Sequence, residues 1–252
     1  MNLKNDVKQW LPLESNPVSL NTYIKTLGFQ TSEYQFVDVL STEQWAIDMI
    51  PQPVLAILFL FPMKKQKRSS PTKIETRRTN KQIFCQDVWY MKQRIRNACG
   101  TFAILHALAN LPSSIQAQEK LFQPSTWIER FLQECSSLDD HNDNLPLERA
   151  KLLESNNEIE TLHDASAKNC DNQTRRGSVN DTVDIHFIAF VNKNNQLYEL
   201  DGRSECGPIL HRQTDQEHFL KHTCEIIQND FMNLDPEEIR FSILALAPTK
   251  TL

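Results

Sequence analysis

With 252 residues, 40% of them hydrophobic, the chain carries enough apolar side chains for one substantial core, and chains of this size often remain one domain. The net charge is only −5, residues 1–7 lack the apolar run of a secretory signal, and the longest apolar stretch, 54–61, is far too short to span a bilayer. Six cysteines without CxxC spacing suit reduced thiols better than a disulfide framework or a zinc site, and five glycines leave little for a phosphate-binding loop. The expectation is a single domain over 1–252, monomeric and cytoplasmic, with no membrane, metal or cofactor.

In chain order, helical periodicity follows Asn16-Pro17 over 18–27, residues 36–40 are strand-like, and 53–61 reads as a strand buried on both faces. A basic stretch comes next: Lys64, Lys65, Lys67, Arg68, Lys73, Arg77, Arg78 and Lys81 face one acid, Glu75, so the rest of the chain carries about −12. A solvated loop is the plain reading of that stretch, with a nuclear-import signal at 64–68 as the alternative. It has no interleaved aromatics, so nucleic acid is not expected as a partner. The acidic remainder suits a basic partner.

Helical patterns return at 102–110, 113–121, 124–135 and 146–154. Residues 155–181 hold few large apolar side chains and many Asn, Asp, Ser and Thr, which reads as an irregular loop. A strand at 183–191, a turn at Asn192-Lys193-Asn194-Asn195 and a second strand at 196–201 follow, then a helix between 215 and 227 and a last strand at 240–247. The class is α/β, with helices around a sheet. In the 183–191 strand, Val183, Ile185, Phe187 and Ala189 form the core face, while Asp184 and His186 look into a cleft.

Cys99 stands where a polar stretch gives way to the apolar helix, so its thiol meets unpaired backbone N–H groups and the positive end of a helix dipole, both of which favour thiolate. Gln93, six residues earlier, offers an amide donor for an oxyanion beside the backbone N–H of Cys99. A four-residue turn pairs Val191 with Gln196 and sets His186 opposite Asp201, on one face. The carboxylate then accepts the Nδ1 proton and leaves Nε2 to face the thiol. Cys99, His186 and Asp201 form a candidate triad with Gln93 as fourth member; a one-residue slip would separate the last two onto opposite faces.

The runs Tyr90-Met91-Lys92-Gln93, Asn97-Ala98-Cys99-Gly100-Thr101, Val183-Asp184-Ile185-His186-Phe187-Ile188-Ala189 and Leu197-Tyr198-Glu199-Leu200-Asp201-Gly202-Arg203 resemble the ubiquitin carboxyl-terminal hydrolase family of cysteine proteases. Trp10-Leu11-Pro12-Leu13-Glu14, Gln35-Phe36-Val37-Asp38-Val39 and Arg240-Phe241-Ser242-Ile243-Leu244-Ala245-Leu246 extend the likeness over nearly the whole chain, closest to the short single-domain members. The resemblance implies a papain-like α/β/α fold with a central antiparallel sheet and a knotted backbone. It assigns Gln93 to the oxyanion hole, Cys99 to the nucleophile, His186 to acid and base, and Asp201 to orienting the histidine. It also implies that 155–181 crosses over the active site and favours small or flexible adducts on ubiquitin or a ubiquitin-like protein. Glu14, Asp38 and Glu238 are the implied contacts to the arginine-bearing ubiquitin tail.

The alternatives are another Cys-His-Asp acyl transferase, such as an arylamine N-acetyltransferase, or a ubiquitin-binding protein without turnover. Arg94 and Arg96 lie just before Cys99 and offer a positive charge to its thiolate. His218 and His222, one helical turn apart with Cys224 nearby, superficially suit a metal but lack the adjacent glutamate of the metalloprotease motif, so a surface helix is expected there.

Overall fold

The computed structural model describes residues 8–63, 87–139, 142–168 and 184–249; the basic stretch at 64–81 lies outside them, as do residues 169–183. In chain order the elements are α1 (Pro17–Leu27), β1 (Tyr34–Asp38), α2 (Gln44–Ile47), β2 (Ala56–Pro62), α3 (Cys99–Ala109), α4 (Ser113–Glu119), α5 (Trp127–Ser136), α6 (Leu145–Ser155) and α7 (Asn157–Ala167). Then come β3 (Ile185–Lys193), β4 (Gln196–Leu200), β5 (Ile209–Gln213), α8 (Phe219–Asp230), a 3₁₀ turn (Met232–Leu234) and β6 (Ser242–Pro248). The six strands form one sheet in the order β1-β6-β2-β3-β4-β5, every neighbouring pair antiparallel.

Both faces of the sheet are packed. On one side Phe187, Ala189 and Val191 of β3 join side chains of α1, α3 and α5 in the larger core. On the other, Ile188 and Phe190 meet Phe59, Phe61 and the apolar face of α8 in a second core. This corrects the expectation that the His186 face of β3 opens into a cleft, because the ring of His186 is packed edge-on against Phe61 with centroids 5.7 Å apart. β2 fits its reading as a strand covered on both faces, since Leu58 points into the first core and Ile57 and Phe59 into the second.

The β3–β4 hairpin departs from its expected register in an instructive way. Lys193 pairs with Gln196 and Val191 with Tyr198, so the turn has two residues, Asn194 and Asn195, rather than four. Both asparagines have positive φ, 53° and 58°, the left-handed pair that a tight hairpin of matching twist demands. Asn192 and Lys193 join β3 while β4 still starts at Gln196, and this one-sided shortening of the turn slides the ladder by two positions. A shift of two preserves facing, so His186 and Asp201 still share a side but lie diagonally, with Asp201 just beyond the end of β4.

A second correction concerns 155–181, whose first part is helix α7 rather than loop; the rest falls largely in 169–183. α7 begins at Asn156, whose side chain accepts from the Ile159 N–H, and it buries Ile159, His163 and Ala167. These sit four residues apart on one stripe, with a histidine in the middle. β5 and α2 also add to the expected elements.

Candidate active site

Cys99 is the first residue of α3 and is 5% exposed. The preceding Ala98 has no side chain with which to cap the helix, so the first-turn N–H groups stay available to an anion. Gly100 lets this turn seat closely: a Cβ there would lie 3.1 Å from Cβ of Leu13 and 3.4 Å from the Phe187 ring. The first turn of α3 is thereby wedged between the N-terminal segment and β3.

At the start of β3, Nε2 of His186 is 2.7 Å from Oδ1 of Asp201, both side chains buried. The same Oδ1 accepts the backbone N–H of Arg203 at 2.9 Å. The Tyr90 hydroxyl donates to the carbonyl of Asp201 at 2.8 Å and to that of Ser204 at 3.2 Å. With Nε2 committed to the carboxylate, interaction with the Cys99 thiol falls to Nδ1, which has no other partner. The expected roles of the two ring nitrogens are therefore exchanged. The diagonal register explains why: the carboxylate meets the tip of the ring rather than the atom nearer the backbone.

The electrostatics favour an ion pair. Burial opposes ionisation of Cys99, yet the hydrogen bond and charge of His186, a backbone hydrogen bond from Phe187 and the charge of Arg203 together hold its thiol below the ordinary range. Burial likewise opposes the His186 cation, but the charge and hydrogen bond of Asp201, aided by Cys99, push its pKa up to about 9. Each of the two groups thus favours the charged form of the other.

Gln93 is tied to the same loop, its backbone N–H donating to the Gly202 carbonyl at 2.7 Å. A Cβ on Gly202 would come within 3.0 Å of Cβ of Gln93, so glycine is what lets the Asp201 loop approach. The Gln93 amide gives one hydrogen to the Ile95 carbonyl at 2.9 Å; an NH₂ group carries a second, free for a developing oxyanion.

The remaining sequence candidates divide. Asp38 ends β1 and Glu238 precedes β6, at the end of the sheet where β3 begins and β4 finishes. Glu238 accepts from Nε and Nη2 of Arg240 at 2.9 Å, which holds its carboxyl well down, to about 2. Burial raises the Asp38 carboxyl above its usual range. Glu14 follows Leu13, the residue packed on Gly100. Arg94 turns away to Glu154 at 2.6 Å, and Arg203, not Arg94 or Arg96, is the guanidinium whose charge reaches Cys99. His218 pairs with Asp215 at 2.8 Å and His222 with the Thr214 hydroxyl at 2.8 Å. Among the described residues no three His, Cys, Asp or Glu side chains are grouped to hold a metal. No described helix is long and apolar enough to cross a membrane.

Residues 10–232 match the family model described as ubiquitin carboxyl-terminal hydrolase, family 1. The chain belongs to that family. It is 34% identical to ubiquitin carboxyl-terminal hydrolase 3 of Arabidopsis thaliana, over 95% of this chain and 94% of the relative, and 35% identical to human ubiquitin carboxyl-terminal hydrolase isozyme L1, over 94% and 98%. Among solved structures, the catalytic domain of UCH37 from Trichinella spiralis bound to ubiquitin vinyl methyl ester superposes with a TM-score of 0.67 at 19% identity, covering 95% of this chain and 96% of that one. The fold is thus that of the ubiquitin carboxyl-terminal hydrolases, an antiparallel sheet between helices.

In the sequence Arg203 stands in a motif that assigns it no role. Tyr23, Thr101 and His163, joined behind the first turn of α3, had not been read as connected at all. Only a sequence-spaced stripe in α7 could have signalled the last of these.

Proposed function

We propose that this chain is a thiol-dependent hydrolase that releases small or flexible adducts from the C-terminal glycine of ubiquitin or a ubiquitin-like protein. The observation that carries this reading is the buried 2.7 Å bond from His186 to Asp201 together with a Cys99 thiol depressed by the same imidazole. Cys99 Sγ attacks the terminal glycine carbonyl. The oxyanion takes hydrogen bonds from the Cys99 backbone N–H and the spare amide hydrogen of Gln93. His186 gives its Nδ1 proton to the departing amine or thiol, then as a neutral base activates the water that resolves the acyl-enzyme. Asp201 holds the ring throughout.

Glu14, Asp38 and Glu238 would meet the basic tail of ubiquitin, Asp38 being supported by its place at the catalytic end of the sheet. Membership of this family sets aside an arylamine N-acetyltransferase, and a Cys99 thiol depressed by His186 favours turnover over binding alone. We further infer a monomer acting in the cytoplasm. Wild type and Cys99→Ala, assayed on a fluorogenic amide of the ubiquitin C-terminus, test the reading: the parent is expected to turn over and the variant to be inert. An inactive parent that still binds ubiquitin would favour the non-hydrolytic alternative.

A further inference from the structure

Thr101 lies two residues beyond Cys99, in the first turn of α3, and is fully buried. A run of polar groups passes through it. The Tyr23 hydroxyl of α1 is 3.0 Å from Thr101 Oγ1, which is 2.8 Å from His163 Nδ1 of α7, and His163 Nε2 is 2.6 Å from the Leu11 carbonyl. One end of the run fixes the direction of every proton. A carbonyl can only accept, so Nε2 carries the hydrogen. Burial keeps this imidazole neutral, its pKa pushed down to about 4 despite Asp164 and Glu160 nearby, so Nδ1 is an acceptor. The Thr101 hydroxyl must donate to it, and its only hydrogen is then committed. The Tyr23 hydroxyl therefore donates to Thr101. In the other tautomer the Leu11 carbonyl would face a lone pair.

The imidazole is also clamped by packing. The Trp10 ring lies 4.4 Å away between centroids, and Tyr23 meets it edge-on at 6.1 Å. Lys8, beside Trp10, pairs with Glu160 of α7 at 2.7 Å. Three chain segments thus converge on one histidine, and the histidine bonds to the turn that carries the nucleophile.

We propose that Thr101 and His163 are positioning residues for Cys99: the imidazole, bonded to both the Thr101 hydroxyl and the Leu11 carbonyl, pins the first turn of α3 to segment 10–13 and so fixes where the sulfur sits relative to His186. This rests on Cys99 being the nucleophile. Neither residue is among the groups that perturb the thiol directly, which are His186, Phe187 and Arg203. They act through the turn, whose other side is held by Leu13 against Gly100.

The test is the pH dependence of Cys99 alkylation by iodoacetamide, read at that peptide by mass spectrometry, together with kcat and KM on the ubiquitin C-terminal amide. Thr101→Val is expected to raise the apparent thiol pKa by about one unit and to lower kcat about tenfold, with KM within about twofold. Thr101→Ser restores both. Tyr23→Phe removes a buried hydrogen bond from the same run but spares the Thr101–His163 link, so it serves as a control for lost stability and leaves the thiol profile in place. A Thr101→Val profile that matches Thr101→Ser, or a Tyr23→Phe shift as large as that of Thr101→Val, overturns the proposal. Should Thr101→Val fail to fold, His163→Ala is read in the same way: the same shift supports the proposal and an unshifted thiol overturns it. An inactive parent would overturn the hydrolase reading and this one with it, whereas an active parent with an unshifted Thr101→Val overturns this one alone.

Discussion

His186 and His163 are both buried beside α3, and their environments drive them in opposite directions. At the end of the sheet, Asp201 and a thiol that can ionise surround His186, so its cation is favoured and its pKa rises to about 9. Behind the helix, a carbonyl and a hydroxyl surround His163, and with no adjacent carboxylate hydrogen bond to offset burial its pKa falls to about 4. His106, on α3 itself, follows the second pattern: its Nε2 lies 3.0 Å from the Met91 carbonyl, and burial brings it to about 4 as well. Burial alone does not decide the charge of a histidine; the hydrogen-bonding partner does. The first kind suits the proton transfer proposed for His186, the second the positioning proposed for His163.

The contrast is largest at Asp201. Asp201→Asn removes the charge that supports the His186 cation and is expected to cut kcat/KM on the order of 10² to 10⁴-fold, measured with the fluorogenic ubiquitin amide. Its acid limb should also move to higher pH, because a thiolate without an imidazolium partner ionises later. A loss of activity with an unmoved limb would show that Asp201 does not set the charge of the pair.

Acid titration separates the two classes next. Between pH 6.5 and about 4 the unfolded chain binds protons at His106 and His163 that the folded chain refuses, so stability falls as pH drops through that window, by up to about 3 kcal/mol for each site. For His186 the sign is reversed. Taken alone, its contribution is complete below pH 6.5 and is lost as pH rises through about 9, while the depressed Cys99 thiol, which has lost a proton in the folded chain, opposes that slope. Urea unfolding across the two windows, with His163→Gln as a reference, reads both slopes. An acid slope unchanged in His163→Gln would mean the site is not neutral in the native protein.

A smaller effect is expected at the join between the two parts of the catalytic machinery. Gly202→Ala places a methyl about 3.0 Å from Cβ of Gln93 and should lower kcat about tenfold by moving the amide donor. KM on the same substrate would change little, and a variant with wild-type kcat would mean that the loop yields without consequence. The smallest effect belongs to Arg94, whose exposed pair with Glu154 is expected to contribute less than about 1 kcal/mol. Arg94→Ala should leave the alkylation profile of Cys99 unchanged, whereas Arg203→Ala should shift it to higher pH.

Most of this arrangement could be read from sequence because its chemistry is local. Cys99 was placed at a helix start from the change in polarity around it, and β2 was legible as a doubly covered strand from its unbroken apolar run. The His186–Asp201 relation depended on a turn length that was misjudged, and the facing was preserved because the error was an even number of positions. The nitrogen assignment did not survive, since it depends on whether the two residues are opposite or diagonal. α7 escaped because its buried stripe is Ile159, His163 and Ala167, and a helix that buries a polar side chain at its centre has no apolar period to recognise. The cleft beside His186 was inferred from alternation along β3, but alternation shows only that two faces differ; here the second face has a core of its own.

The two-asparagine bend between β3 and β4 has a consequence for how this hairpin can change over generations. Lengthening it by two residues, one to each arm, would leave the acid partner diagonal to the histidine as it is now, whereas a single added residue absorbed into either arm would send the carboxylate through to the opposite surface. Viable insertions there are therefore quantised in pairs, unless a bulge takes up the odd residue, and the parity of the connection is under as strong a constraint as the identity of the side chains it brings together.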